Sequence, residues 1–166
     1  MKPKLILLHA LVLNFALADC SFAQAGRMDE TISKVRIMEI LNSIDAGVVK
    51  QNASAVVADF ATNAVISAMV VEGSRTYTTT NDTTDYRNIL KASFKSFDDY
   101  KLQRKNIIIQ ISSDRQRAAS LSTLIETFRF AGNAERAVTE ESDTFEIIDG
   151  KVVLTKMDSK VEVTIE

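Results

Sequence analysis

Apolar residues recur at Ile37, Ile40, Leu41, Ile44 and Val48, the spacing that gives a helix one buried face, so the pattern predicts a helix from Asp29 to about Lys50. Gly47 weakens its last turns. Asn52 stands where an N-cap would, and Val56, Val57 and Phe60 give a short second helix one apolar edge, so the two form a helical hairpin. The period changes at 64–71, a run rich in β-branched residues, short enough for a strand and closed by Glu72-Gly73-Ser74. A threonine-rich stretch around Asn81-Asp82 predicts a short strand and a capped turn into a third helix, from Thr83 to about Phe97, with Tyr86, Leu90, Phe94 and Phe97 along one face. Four β-patterned runs follow, at 101–113, 116–131, 134–148 and 151–165. Gly132-Asn133 and Asp149-Gly150 are strong turn signals between them, so these runs predict an antiparallel meander. In the last run Val153, Thr155, Met157, Val161, Val163 and Ile165 share one parity, while Lys156, Asp158, Lys160 and Glu162 share the other. One face of the sheet is therefore buried, and the three helices are the elements available to cover it.

The segment ahead of these elements follows a different rule. Met1-Lys2-Pro3-Lys4 is positive, and Leu5 to Ala18 is apolar apart from His9 and Asn14, which is the pattern of a secretory signal peptide. The run is too short for a permanent transmembrane helix. Ser21-Phe22-Ala23 and Ala23-Gln24-Ala25 both fit small-x-small cleavage, so residues 1–25 are expected to be removed and 26–166 to form one domain. The expected location is secreted or periplasmic. Leu17-Ala18-Asp19-Cys20 resembles a lipobox, which would anchor the chain through Cys20, but Asp19 departs from the small uncharged residue usual there. No later segment is apolar enough to span a membrane, so no membrane association is expected after signal removal.

Composition narrows the chemistry by what it lacks. The chain's only His, Cys and Pro are His9, Cys20 and Pro3, all within the signal, and it has no Trp. Thiolate nucleophiles, disulfides, histidine acid–base catalysis and His/Cys zinc sites are therefore excluded from 26–166, and neither a metal nor a cofactor is expected. That segment carries 18 basic against 21 acidic residues, scattered along the sequence, so nucleic acid is not an expected partner. Asn52-Ala53-Ser54 and Asn81-Asp82-Thr83 match the N-glycosylation pattern, a short motif that chance produces often.

The order helix, helix, strand, short strand, helix and four long strands resembles the nuclear transport factor 2-like superfamily, also called the SnoaL-like or ketosteroid isomerase-like fold. The resemblance covers nearly all of 26–166. Its local marks are the stretch from Ala55 to Val65, which looks like the superfamily's short helix leading into its first strand, and the stretch from Asp143 to Val152, which looks like its final hairpin. The resemblance implies an α+β cone, a curved antiparallel sheet wrapped around three N-terminal helices, with an apolar pocket at its open end. The superfamily holds isomerases, dehydratases and cyclases beside members that only bind a ligand or another subunit, so fold alone does not choose among them.

In the ketosteroid isomerase scheme that the resemblance implies, a carboxylate moves a proton while a tyrosine and a protonated aspartic acid bind the oxyanion. Matching the resemblance without gaps puts Ala68 at the place of the base and Ile44 at about the place of the tyrosine, and neither can do that chemistry. Asp143 falls opposite the oxyanion-binding aspartic acid, on the same side of its strand as Phe145 and Ile147. Glu126 shares strand parity with Leu124, Phe128 and Phe130, so it either points inward, protonated or paired with a base such as Arg129 or Arg87, or sits on a bulge that turns it outward. Leu121 breaks the parity upstream and leaves both open. The pocket candidates are Asp143, Glu126, Tyr86, Tyr100, Phe128, Phe145 and Met157, with no catalytic set assigned. The favoured reading is binding of a small apolar ligand, dimerisation through the outer face of the sheet, or both. A His-free isomerase or dehydratase and an assembly subunit of a larger complex are the alternatives.

Overall fold

A computed structural model describes residues 31–165 of the chain. The signal segment, the cleavage sites and Cys20 lie outside these residues, as does the expected helix start at Asp29. Helix α1 spans Lys34–Val49 and opens on Ser33, whose side chain accepts the Arg36 amide. It buries Ile37, Ile40, Leu41, Ile44 and Gly47, the stripe that the spacing predicts with one addition. The addition gives Gly47 a packing role. A Cβ at Gly47 would stand 2.8 Å from the Val56 amide nitrogen, so the glycine lets α1 meet the short helix α2, Ala53–Val56, backbone to backbone. The Asn52 side chain caps α2 by accepting the Ala55 amide.

Strand β1 runs Phe60–Glu72 and pairs antiparallel with β2, Arg75–Asn81. β1 thus begins four residues before the expected strand and takes in Phe60, which the periodicity placed on a helix edge. Helix α3, Thr83–Ser93, is capped by Asp82 and is shorter than the expected Thr83–Phe97. Phe97 instead opens β3, Phe97–Ile111, which is followed by β4 (Arg117–Phe130), β5 (Asn133–Ile148) and β6 (Lys151–Ile165). Ala131-Gly132 and Asp149-Gly150 both hold positive φ at two successive residues, the geometry whose twist suits two-residue hairpins.

The six strands form one curved, unclosed sheet in the order β2-β1-β6-β5-β4-β3. The meander β3 to β6 is antiparallel as expected, but β1 lies parallel to β6, so the sheet is mixed. Two helices, not three, precede the sheet, and the third enters after β2. Parallel pairing of chain-distant strands leaves no mark on periodicity, which is why the pattern did not disclose it. Strand β6 does not keep one parity along its length, contrary to the expected alternation. Phe145 faces Leu154 while Thr144 faces Lys156, so Thr155 is an extra residue that flips parity midway. The buried set is therefore Val152, Leu154 and Met157, whereas Val153 and Thr155 are only partly buried.

The core lies between α1 and the inner face of the sheet. Ile32, Ile37, Ile40, Leu41 and Ile44 pack with Ala64, Ile66, Ala118, Phe145, Val152, Leu154 and Met157. Burying each large aliphatic or aromatic side chain contributes about 1.5–3 kcal/mol. Phe145 and Met157, two of the pocket candidates, are fixed in this core, 0% and 3% exposed.

Candidate functional site

The inner face of the meander is built in rungs, each joining β4, β5 and β6. Ala118, Phe145 and Leu154 make an apolar rung, and the next is Ser120, Asp143 and Met157. Then follow Ser122, Glu141 and Ser159, then Leu124, Thr139 and Val161, then Glu126, Ala137 and Val163, with Phe128 opposite Glu135 beyond them. The chain thus places polar groups in the middle of an inward face, where each must find a partner or hold a proton.

Asp143 is fully buried, and its Oδ2 accepts the Ser120 hydroxyl at 2.8 Å. Its Oδ1 is equally buried and accepts no bond. Burial, reinforced by the negative charge of Glu141, pushes the Asp143 carboxyl up to about 8, and a proton there lets it donate to Glu141. Glu141 is held from the other side by Arg104, at 2.6 Å from Nη1. Arg104 also donates to Ser122 at 2.7 Å and grips both oxygens of Asp45 on α1 with Nε and Nη2. Burial alone would lower the Arg104 pKa, but the bonds and charges of Asp45 and Glu141 outweigh it and hold the guanidinium charged. This network ties α1 to β3, β4 and β5, with Asp143 Oδ1 left as a buried oxygen that accepts no bond.

Glu126 points inward, which settles its orientation. Two bulges sit on the neighbouring strand instead, at Asp99 and Asn106 of β3, where φ is +53° at each and the pairing with β4 shifts. Leu121 is turned outward and is half exposed. The partners of Glu126 are neither Arg129 nor Arg87. Arg129 pairs with Asp99 at the surface, and the buried Arg87 Nε makes no hydrogen bond. Instead the Tyr100 hydroxyl donates to Glu126 Oε1 and the Thr139 hydroxyl donates to Oε2 at 3.2 Å. Burial raises the Glu126 carboxyl, and these two hydrogen bonds act against it. The Tyr100 hydroxyl is pushed up by burial and by the Glu126 carboxylate.

A cavity of about 400 Å³ opens beside this pair. Phe97, Tyr100, Phe128 and Phe130 form its aromatic side, Val70, Ile89, Ala137, Val161 and Val163 line it further, and Glu126 and Glu135 lend it carboxylates. The rings are mutually packed, with Phe97 4.7 Å from Phe128 and Tyr100 stacked on Phe128 at 5.8 Å. Of the seven candidates, the structure brings Glu126, Tyr100 and Phe128 onto this cavity. Asp143, Phe145, Met157 and Tyr86 do not line it. Tyr86 stacks on Phe60 at 6.2 Å against the core, and burial together with the surrounding carboxylates raises its hydroxyl. Ile44 and Ala68 supply no acid, base or hydroxyl; Ile44 is a core residue of α1.

Sequence reasoning missed Arg104, Glu141 and Asp45. A signal for one of them was present, because strand parity that turns Asp143 and Phe145 inward also turns Glu141 and Thr139 inward.

No protein-family model matches the chain, and no curated protein does. Solved structures do match. A candidate scytalone dehydratase from Novosphingobium aromaticivorans superposes with a TM-score of 0.65 at 15% identity, over 80% of this chain and 86% of the other. The hexachlorocyclohexane dehydrochlorinase LinA-type3 from Novosphingobium barchaimii gives 0.66 at 12% identity, over 80% and 89%. An ntf2-like protein with a cystatin-like fold from Novosphingobium aromaticivorans gives 0.59 at 9% identity, over 77% and 80%. The chain has the nuclear transport factor 2-like fold. Enzymes and proteins without an assigned function share this architecture, so the fold leaves the chemistry to the side chains.

Proposed function

We propose that the protein is an exported binder of a small, mostly apolar molecule, held in the cavity between α3 and the far rungs of the sheet without chemical turnover. The observation that carries this reading is the wall itself: four packed aromatic rings and a band of aliphatic side chains around about 400 Å³, with few polar groups, among them the half-buried, hydrogen-bonded pair Glu126 and Tyr100. Pockets for small ligands have this make-up, an apolar lining with few placed polar groups. N-phenyl-1-naphthylamine, a neutral probe that brightens in apolar surroundings, tests it. Wild-type protein is expected to enhance its fluorescence saturably, and Ala137→Phe, which fills the cavity, to abolish the enhancement. Absence of any saturable signal from the wild type sinks the reading.

A second reading is favoured by one observation. Burial raises the Glu126 carboxyl within the cavity, which favours the protonated form that a general acid needs. Glu126 would then serve a His-free isomerase or dehydratase acting on a hydrophobic hydroxyl or carbonyl compound. Glu126→Gln should abolish such turnover while leaving probe binding intact.

A further inference from the structure

The cavity has a charge character that its apolar lining conceals. Among its lining residues there is no lysine or arginine, and the ionisable ones are Glu126, Glu135 and Tyr100. Glu135 makes interactions of its own and stands on the same wall as a second carboxylate. The groups acting on Glu126 come from β3 and β5: Tyr100 and Thr139 donate to it, Glu141 repels it, and Arg104 attracts it from within its own network with Asp45, Glu141 and Ser122. Arg104 is therefore committed elsewhere. Both Glu126 oxygens already accept a hydroxyl, which leaves the carboxylate form prepared in hydrogen bonding but short of a counter-charge. Beside it stand the rings of Phe97, Tyr100, Phe128 and Phe130, whose faces attract cations.

We infer that the ligand of this cavity is an organic ammonium ion with an apolar body, its cationic head set against Glu126 and the aromatic wall. This rests on the binding reading above and names the ligand class for it. The carboxylate supplies the charge that the head needs, and the rings replace part of its hydration with cation–π contact. An anion of the same shape meets two carboxylates and no basic side chain in the lining, and a neutral body fills the volume without answering the Glu126 charge. Cation binding also draws the proton off Glu126, so affinity for the cation falls as pH drops through the raised Glu126 pKa, while affinity for a neutral body does not.

Benzyltrimethylammonium and neopentylbenzene have the same shape and differ by one charge. Binding of each to the wild-type protein and to Glu126→Gln is measured by ligand-observed NMR titration at several pH values. The cation is expected to bind about tenfold or more tightly than the hydrocarbon in the wild type, a gap of about 1.4 kcal/mol, within the range of a desolvated cation–π and ion contact. The gap should close in Glu126→Gln. Equal binding of both compounds by the wild type overturns the ammonium assignment and leaves the apolar cavity reading standing. Binding of neither defeats both. A preference that survives both Glu126→Gln and acidification also overturns the assignment, because the charge that selects the cation would then lie elsewhere.

Discussion

Asp143→Asn separates a buried acid that needs its proton from one that only fills space. In the native protein the carboxyl is held up at about 8, from an ordinary value of 3.8, chiefly by burial and then by Glu141. An acid whose folded pKa is raised binds its proton more tightly in the folded state. Its stabilising effect is therefore complete below the ordinary value and drains away as pH rises through the window between the two. Within that window each pH unit costs up to about 1.4 kcal/mol, so the change from pH 5 to pH 8 approaches about 4 kcal/mol as an upper bound. Asparagine has nearly the shape of the protonated acid: its carbonyl can accept the Ser120 hydroxyl and its amide can donate toward Glu141, with no charge to lose. Urea unfolding followed by circular dichroism from pH 5 to pH 9 should find the two proteins similar at pH 5 and the variant more stable by several kcal/mol at pH 8. Glu126, the other raised carboxyl, contributes a slope of the same sign to both proteins, so the difference between the curves isolates Asp143. Parallel curves, or a variant weaker than wild type at pH 8, would refute the protonated-Asp143 reasoning.

Other consequences follow from the same packing. Arg104→Met removes a cation that Asp45 and Glu141 share and should cost about 3–5 kcal/mol in chemical denaturation, the range seen when one partner of a buried ion pair is deleted. Gly47→Ala drives a methyl to 2.8 Å from the Val56 amide and should cost about 1–3 kcal/mol, read as a lower thermal midpoint, although alanine favours helix elsewhere. On the outer face of the sheet Met69, Ile108 and Leu121 are exposed, and Ile108 and Leu121 are register partners. If two copies pair through this face, Leu121→Asp should lower the sedimentation coefficient at high micromolar concentration; a wild-type chain that sediments as a monomer there removes the dimer from consideration.

Much of this molecule follows from residue order alone. The helix spacing of Ile37, Ile40, Leu41 and Ile44, the caps at Asn52 and Asp82, and the hairpin glycines Gly132 and Gly150 act within a few residues, so the elements they specify are legible along the chain. So is the confinement of chemistry to carboxylates, hydroxyls and basic groups beyond residue 25, since His9 and Cys20 precede it. The parallel joining of β1 to β6, the parity flip at Thr155 and the inward turn of Glu126 were decided only in three dimensions, because pairing across distant strands fixes them and local periodicity does not record it. The fate of the two acids shows the same division. Both stand at inward parity in sequence, yet Asp143 became part of a closed network with Ser120 and Glu141, while Glu126, three rungs away, faces open volume. What separates them is the cover each receives: Asp45 of α1 reaches Arg104 and closes the network around Asp143, whereas beside Glu126 the packed rings of β3 and β4 form one wall of an open cavity.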